Sequence, residues 1–226
     1  MKRWLIADLA KHMYTPLKFM FLLLLVEAPL LFAQRLLADA PLRLATRPAL
    51  PPYIYDNPLR GIEIDLLRAV FKEAALAVEF RQMPVKRMRK SFELGSVDGL
   101  LTQQSDLKPI GCATDWYFAH LNVAITLASS GIELHQLEDL RKFSILSFVG
   151  ARRFMGPAYV AAVASSPHYV EAKFQEDHME LLYQRRFDVV VGDEWILRLG
   201  QKDLLESSGE YQEIQTHDIM EPLLQT

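Results

Sequence analysis

The stretch Leu42-Arg43-Leu44-Ala45-Thr46, a proline-rich loop, and then Gly61-Ile62-Glu63-Ile64-Asp65-Leu66-Leu67-Arg68-Ala69-Val70-Phe71 decide how the chain is read. They describe a short buried strand, an exposed loop and a helix. The loop holds Pro48, Pro51, Pro52 and Pro58 with Tyr53 and Tyr55 between them. Proline fixes φ, so two aromatic rings are held on a stiff loop at the end of a strand. In open α/β sheets small ligands bind there. Beyond the loop, Leu66, Val70 and Ala74 recur at i, i+4 and i+8 with Leu67 and Phe71 beside them, which predicts one apolar helix face. Glu63 and Asp65 fall in the first turn, where negative charge suits the helix dipole.

Outward from this unit the pattern repeats. Residues 77–82 alternate apolar and polar as a second strand. Pro84 starts a helix with Val85, Met88 and Phe92 facing inward, Gly95 stops it, and 97–102 read as a third strand. Strands alternating with helices imply parallel neighbours with crossover connections. After an irregular segment, 121–127 are extended and Ser129-Ser130-Gly131 break the strand. A second series follows: a short helix at 137–141, a strand at 143–148, and a loop at Gly150 into a helix over 153–164. A strand at 168–174, a helix at 177–184, a strongly apolar strand at 187–192 and a helix beginning at Asp193 complete it. The expected division is a first α/β lobe at 41–125, a second at 126–192, and a partial return towards the first at 193–226.

Half of the 226 residues are hydrophobic, enough for one large domain or two small lobes. A net charge of −3 without long runs of one sign argues against a nucleic-acid surface. Cys112 is the single cysteine, which excludes an intramolecular disulfide and a cysteine-based metal cluster. The six histidines lack metal-ligand spacing, and His178 reads as a solvated residue on a helix face. No nucleophile elbow, phosphate loop or dinucleotide fingerprint occurs, and no cofactor is expected. At the N-terminus, Lys2, Arg3, Lys11 and Lys18 precede Phe19-Met20-Phe21-Leu22-Leu23-Leu24-Leu25-Val26. A basic flank before a short apolar run predicts an export signal over 1–40, with an uncleaved anchor as the alternative. Ala38-Asp39-Ala40 has the small-x-small form of a cleavage site, but Pro41 after it disfavours cutting there, and a cut after Ala33 is the other reading.

Several stretches then match a known family in order and spacing over about 42–199. They are Pro51-Pro52-Tyr53 with Gly61-Ile62-Glu63-Ile64-Asp65-Leu66-Leu67, and Leu94-Gly95-Ser96-Val97-Asp98-Gly99. Leu137-Glu138-Asp139-Leu140, Phe148-Val149-Gly150 and Phe187-Asp188-Val189-Val190-Val191-Gly192-Asp193 continue the series. Together they resemble the family-3 extracellular solute-binding proteins, the periplasmic receptors of polar-amino-acid-type ABC importers. The resemblance implies a periplasmic-binding-protein-like type II fold, with two α/β lobes closing on a ligand by a hinge motion. It implies a monomer in the periplasm that binds a small polar solute without chemistry and hands it to an ABC permease in the inner membrane.

Carried over by residue, Tyr53 takes the place of a first-lobe aromatic against the ligand. Thr102 follows the third strand, where a main-chain or hydroxyl contact is usual. Gly150, Ala151 and Arg152 form a second-lobe helix start whose N–H groups suit a carboxylate. Asp193 stands where the family places an acid against the ligand amine, and it is equally suited to cap the next helix. Two departures follow. The family's amino-acid receptors carry an arginine just after the third strand, which grips the ligand carboxylate with both arms. Here the segment reads Thr102-Gln103-Gln104-Ser105-Asp106-Leu107-Lys108, and Lys108 offers charge without a fork. An α-amino-acid ligand is therefore in question. The family's path also returns to the first lobe with another strand and helix, whereas this chain stops at Thr226, so the resemblance implies that this last piece is missing.

Plainer readings stand beside these. Tyr53 competes with a role as a loop side chain packed on its own prolines, and Tyr55 reads as exposed. Glu63 and Asp65 are more often helix-start residues than ligand contacts. Lys86, Arg87, Arg89 and Lys90 read as a solvated helix face, from which Arg87 is the best candidate to reach the cleft. Trp116 and Trp195 read as lobe packing, with a place on the cleft lining as the alternative. The alternative function is a dehydratase of the prephenate type on the same fold, needing Glu63, Asp193 or Glu194 in the cleft with a raised pKa. A sensory binding module that reports to a partner is the other.

Overall fold

The computed structural model describes residues 40–103 and 110–225. The expected export segment and Lys108 lie outside them. Strand β1 (Leu42–Thr46) leads into the proline loop, which carries a small hairpin of β2 (Tyr55–Asp56) and β3 (Leu59–Arg60). Helix α1 (Ile62–Glu73), strand β4 (Val78–Gln82), helix α2 (Val85–Glu93) and strand β5 (Gly99–Leu100) follow. The first sheet has the order β4-β1-β5, with both pairings to β1 parallel. Because side chains alternate across a strand, Leu44 enters a cluster with Ile54, Ile64 and Leu67, while Ala45 meets Met88 and Val97 on the other face.

The chain then crosses over along β6 (Phe118–His120) and β7 (Asn122–Leu127). Strand β8 (Ser144–Phe148), helices α3 (Ala151–Phe154) and α4 (Gly156–Val163), and strand β9 (His168–Ala172) come next. Helix α5 (His178–Tyr183), strand β10 (Val189–Asp193), helix α6 (Glu194–Ser208), and strands β11 (Ile214–His217) and β12 (Leu223–Gln225) complete the order. The second sheet is β11-β7-β10-β8-β9. Its β8–β9 and β8–β10 pairs are parallel, and its β7 pairs are antiparallel. The Val-Val-Val run of β10 is buried throughout because both sheet faces are covered: Val190 faces Met179 and Leu182, and Val189 and Val191 face Tyr159 and Val163. The expected boundary at 125/126 cuts through β7, which lies wholly in the second sheet. Residues 193–225 likewise stay mainly with that sheet: β11 pairs with β7, and β12 pairs with the crossing strand β6.

Helix α1 is phased differently from the expectation. Glu63, Ile64 and Leu67 are its buried residues, while Leu66 and Val70 are exposed and Ala74 lies beyond the helix at the surface. The inward face admits a carboxylate, so a search for apolar spacing picks the wrong stripe. The start of α1 is tied to the proline loop, since the N–H groups of Ile62 and Glu63 donate to the carbonyls of Pro52 and Tyr53 at 3.1 and 3.2 Å. These bonds satisfy amides that a helix leaves open at its first turn. The loop comes so close that a Cβ on Gly61 collides with the Tyr53 carbonyl, and Gly61 has φ of 125°. Val85 on α2 is exposed, against its expected inward place, whereas Met88 is buried and Phe92 packs against it. Trp116 and Trp195 are 58% and 54% exposed, so neither packs a lobe core. His178, expected in solvent, is fully buried, because α5 lies on the second sheet with Met179, Leu182 and Tyr183 inside as well. Burial pushes its pKa down to about 4.

Two outcomes follow from these contacts. Gly61→Ala is expected to lower unfolding free energy by about 2 kcal/mol or more, because an L side chain must take a strained φ and displace the loop. Urea denaturation within about 0.5 kcal/mol of the parent contradicts this. For His178 the unfolded state binds the proton more readily, so stability is full above its ordinary pKa of about 6.5 and is lost as pH falls towards about 4. Between pH 7 and pH 5 this loss is about 2 kcal/mol. The His178→Met variant should show a correspondingly smaller loss in the same denaturation experiment, and equal losses in both proteins exclude the assignment.

Candidate functional site

A cavity of ≈ 910 Å³ opens between the two sheets. From the first lobe it is lined by Arg47 at the end of β1, by the loop residues Leu50 and Pro51, by Val85 and Met88 of α2, and by Thr102 after β5. From the second lobe come Phe148, Val149, Arg153, Phe154 and Lys173, with Asp193 and Ile196 at the start of α6. His120 and Asn122 line it from the crossing strands. Its size and mainly apolar walls suit a small solute.

The Asp193 carboxylate is 3% exposed and holds this junction together. Its Oδ1 accepts the N–H groups of Trp195 and Ile196, both at 3.1 Å, which caps α6. The Tyr53 hydroxyl donates to both carboxylate oxygens at 2.9 Å, and His120 Nδ1 lies 3.2 Å from Oδ2. Burial first, and then the Asp193 charge, push the Tyr53 phenol well above its ordinary pKa, so it remains a donor. Tyr53 itself is 2% exposed. It packs against Phe118 and His120 with ring centroids 5.5 and 4.6 Å away.

A second network lies under the first-lobe wall. Glu63, 1% exposed, accepts the Thr102 hydroxyl at 2.7 Å and the Tyr117 hydroxyl at 2.6 Å, both on Oε1. The Thr102 N–H reaches the Tyr117 oxygen at 3.3 Å. These bonds hold Thr102 at φ 56°, a left-handed conformation that a β-branched residue rarely adopts. Burial draws the Arg47 guanidinium below its ordinary pKa while Glu63 pulls it upward. The Arg47 Nε is buried without a hydrogen-bond partner among the described residues.

Several expected contacts are therefore placed elsewhere. Tyr53 is not on the cavity wall; its ring is in the first-lobe core and its hydroxyl belongs to Asp193. Gly150, Ala151 and Arg152 are also absent from the wall. Glu171 accepts the N–H groups of Gly150 at 2.7 Å and Arg152 at 3.1 Å, so an internal carboxylate occupies the position proposed for a ligand's. Against a burial penalty that pushes it up, these donors hold Glu171 below its usual pKa. Thr102 and Asp193 do line the cavity, but the Thr102 hydroxyl and the Asp193 oxygens are engaged within the protein. Glu63 lies behind the wall, and Arg87 is exposed on α2 outside the cavity. Residues missed by sequence reasoning are Arg47, Arg153, Lys173 and His120. Arg47 was legible in part, as the first residue after β1; Arg153 lies one position beyond the expected loop.

The two sheets, the crossing strands and the cleft define a type II periplasmic-binding, Venus-flytrap-like architecture. Residues 42–106 match the family of bacterial extracellular solute-binding proteins, family 3, in agreement with the resemblance read from the sequence. No curated protein sequence matches the chain. Among solved structures, an ancestral arginine-binding protein bound to arginine is similar with a TM-score of 0.57 and 20% identity, over 83% of this chain and 84% of that one. The GluR0 ligand-binding core in complex with L-glutamate is similar with a TM-score of 0.57 and 14% identity, over 82% and 83%. The VFT2 domain of Bordetella pertussis BvgS is similar with a TM-score of 0.60 and 14% identity, over 85% and 82%.

Asp193→Ala is expected to cost about 2–4 kcal/mol, since it removes the cap of α6 and strands the buried Tyr53 hydroxyl. A melting temperature equal to the parent's would show that the junction does not depend on this carboxylate.

Proposed function

We propose that this chain captures a small polar solute between its lobes by cleft closure, without chemical conversion, and passes it to a membrane importer from the periplasm. The observation that carries the reading is the cavity of ≈ 910 Å³ walled by both lobes, with a strained Thr102 at its surface. Support comes from the family match over 42–106 and from the flytrap architecture of the similar structures. In this reading β6 and β12, which pair with each other outside both main sheets, are the crossing segments about which the lobes turn. The export segment and the importer's permease belong to the proposal, as does function as a monomer.

A dehydratase needs a cleft carboxylate free to move protons. Glu63 holds two hydroxyl donors on Oε1, Asp193 is engaged on both oxygens, and Glu194 pairs with Arg198 at 2.7 Å. The arrangement thus favours binding over proton transfer.

Isothermal titration calorimetry of the full chain against a panel of polar amino acids and small organic acids should show saturable binding, with a raised melting temperature and a smaller radius of gyration in X-ray scattering. A folded sample that binds no compound of the panel overturns the proposal.

A further inference from the structure

The charges facing the cavity are not balanced. Arg47 approaches from the first lobe, and Arg153 and Lys173 approach from the second. None of the three forms an ion pair among the described residues: Arg153 lies over the Phe154 ring at 5.1 Å and Lys173 over the Phe174 ring at 4.9 Å. Arg47 is the most constrained of them, with its Nε buried and unpartnered. The charge of Glu63 acts on Arg47, but the Glu63 Oε1 is already engaged by Thr102 and Tyr117, and no ion pair joins the two among the described residues. A guanidinium nitrogen buried without a partner is costly, and an anion supplied from outside removes that cost.

Acids on the wall do not cancel these cations. Asp193 receives the Tyr53 hydroxyl, two backbone N–H groups and His120, leaving no oxygen free for an ammonium group. Asp203, the other lining carboxylate, is exposed on α6, as Arg153 on α3 and Lys173 after β9 are exposed, so among the described residues three lining cations face one uncommitted acid. Leu50, Val85, Met88, Phe148 and Phe154 give the lining a substantial apolar share beside polar residues such as Asn122 and Gln175. What these surroundings lack is negative charge facing Arg47 from one lobe and Arg153 and Lys173 from the other, and their apolar share can take a hydrocarbon spacer. They do not offer a place for an amine.

We infer that the cleft takes a small dicarboxylic acid, with Arg47 gripping one carboxylate and Arg153 and Lys173 meeting the other across the cleft. This specifies the ligand of the solute-binding reading and rests on it. Arg47, at the end of β1, then does the work of the arginine that is missing after β5. The ligand's second carboxylate draws the second-lobe cations towards the first lobe, which ties closure to dianionic ligands. The α-ammonium group of an amino acid gains nothing, because Asp193 is committed to the junction.

The test is calorimetry on the full chain with succinate, 2-oxoglutarate, L-glutamate, L-glutamine and L-arginine at low and at physiological salt. The two amine-free dicarboxylates should bind at least as tightly as L-glutamate, with affinity falling as salt rises, and L-glutamine and L-arginine should not bind. Arg47→Gln should weaken the dicarboxylates by ~30-fold or more. Arg47→Lys, which keeps the charge without the fork, should weaken them by ~10-fold and covers the case in which the glutamine variant fails to fold. The double variant Arg153→Gln, Lys173→Gln should flatten the salt dependence. Binding of L-glutamine or L-arginine in place of the dicarboxylates overturns the inference and leaves the solute-binding reading standing. Dicarboxylate binding unchanged in both Arg47 variants overturns the anchor. No binding by any of the five, or by the broader panel, overturns both.

Discussion

A buried carboxylate, Asp193, is the point on which the two halves of the molecule depend. It sits at the end of the most enclosed strand, β10, and at the first turn of α6. The helix N-terminus and two amide donors make this a favourable place for negative charge, and the Tyr53 hydroxyl supplies a donor from the other lobe. A charge buried without such partners destabilises a fold; this one is surrounded by them. Consequently α6 begins in contact with both lobes. Ile196 packs into the first-lobe cluster and Leu197, its neighbour, into a second-lobe cluster.

The first-lobe wall shows the same principle on a smaller scale. Glu63 faces inward from α1 and collects two hydroxyl donors, from Thr102 after β5 and Tyr117 before β6. Three separate chain segments are thereby held in one arrangement, and the left-handed Thr102 is a product of it. Strain at a cleft is sustained only when the surroundings over-determine the residue, as these hydrogen bonds do. The network also leaves Arg47 as the first-lobe charge that faces the cavity without an ion pair among the described residues.

Much of the fold was legible because it rests on local pattern. The expected strands at 77–82, 143–148 and 168–174 coincide closely with β4, β8 and β9. The apolar run before Asp193 is β10, and the proline loop does end a strand at the edge of the cleft. Errors arose where a polar group replaced an apolar one inside, or the reverse. Glu63 shifted the buried stripe of α1, His178 went into the core of the second lobe, and two tryptophans came to the surface. The site was legible by region and not by residue. The segment 148–154 does form part of the wall, but Phe148, Val149, Arg153 and Phe154 line it, while the N–H groups of Gly150 and Arg152 donate to the internal Glu171.

The sequence by itself determined a two-part α/β chain with parallel crossovers, since hydrophobic period and turn residues report on each segment's own neighbours. It also determined that a rigid loop follows the first strand, because proline acts through the local backbone. Only the tertiary structure decided which polar groups are already paired. Tyr53 and Asp193 are 140 residues apart, and Glu63 and Tyr117 are 54 apart. Whether a carboxylate or a hydroxyl is free for a ligand depends on such distant donors. For that reason Asp193 passed from candidate ligand contact to the junction of the lobes, and Arg47 passed from unnoticed to the charge that faces the cleft.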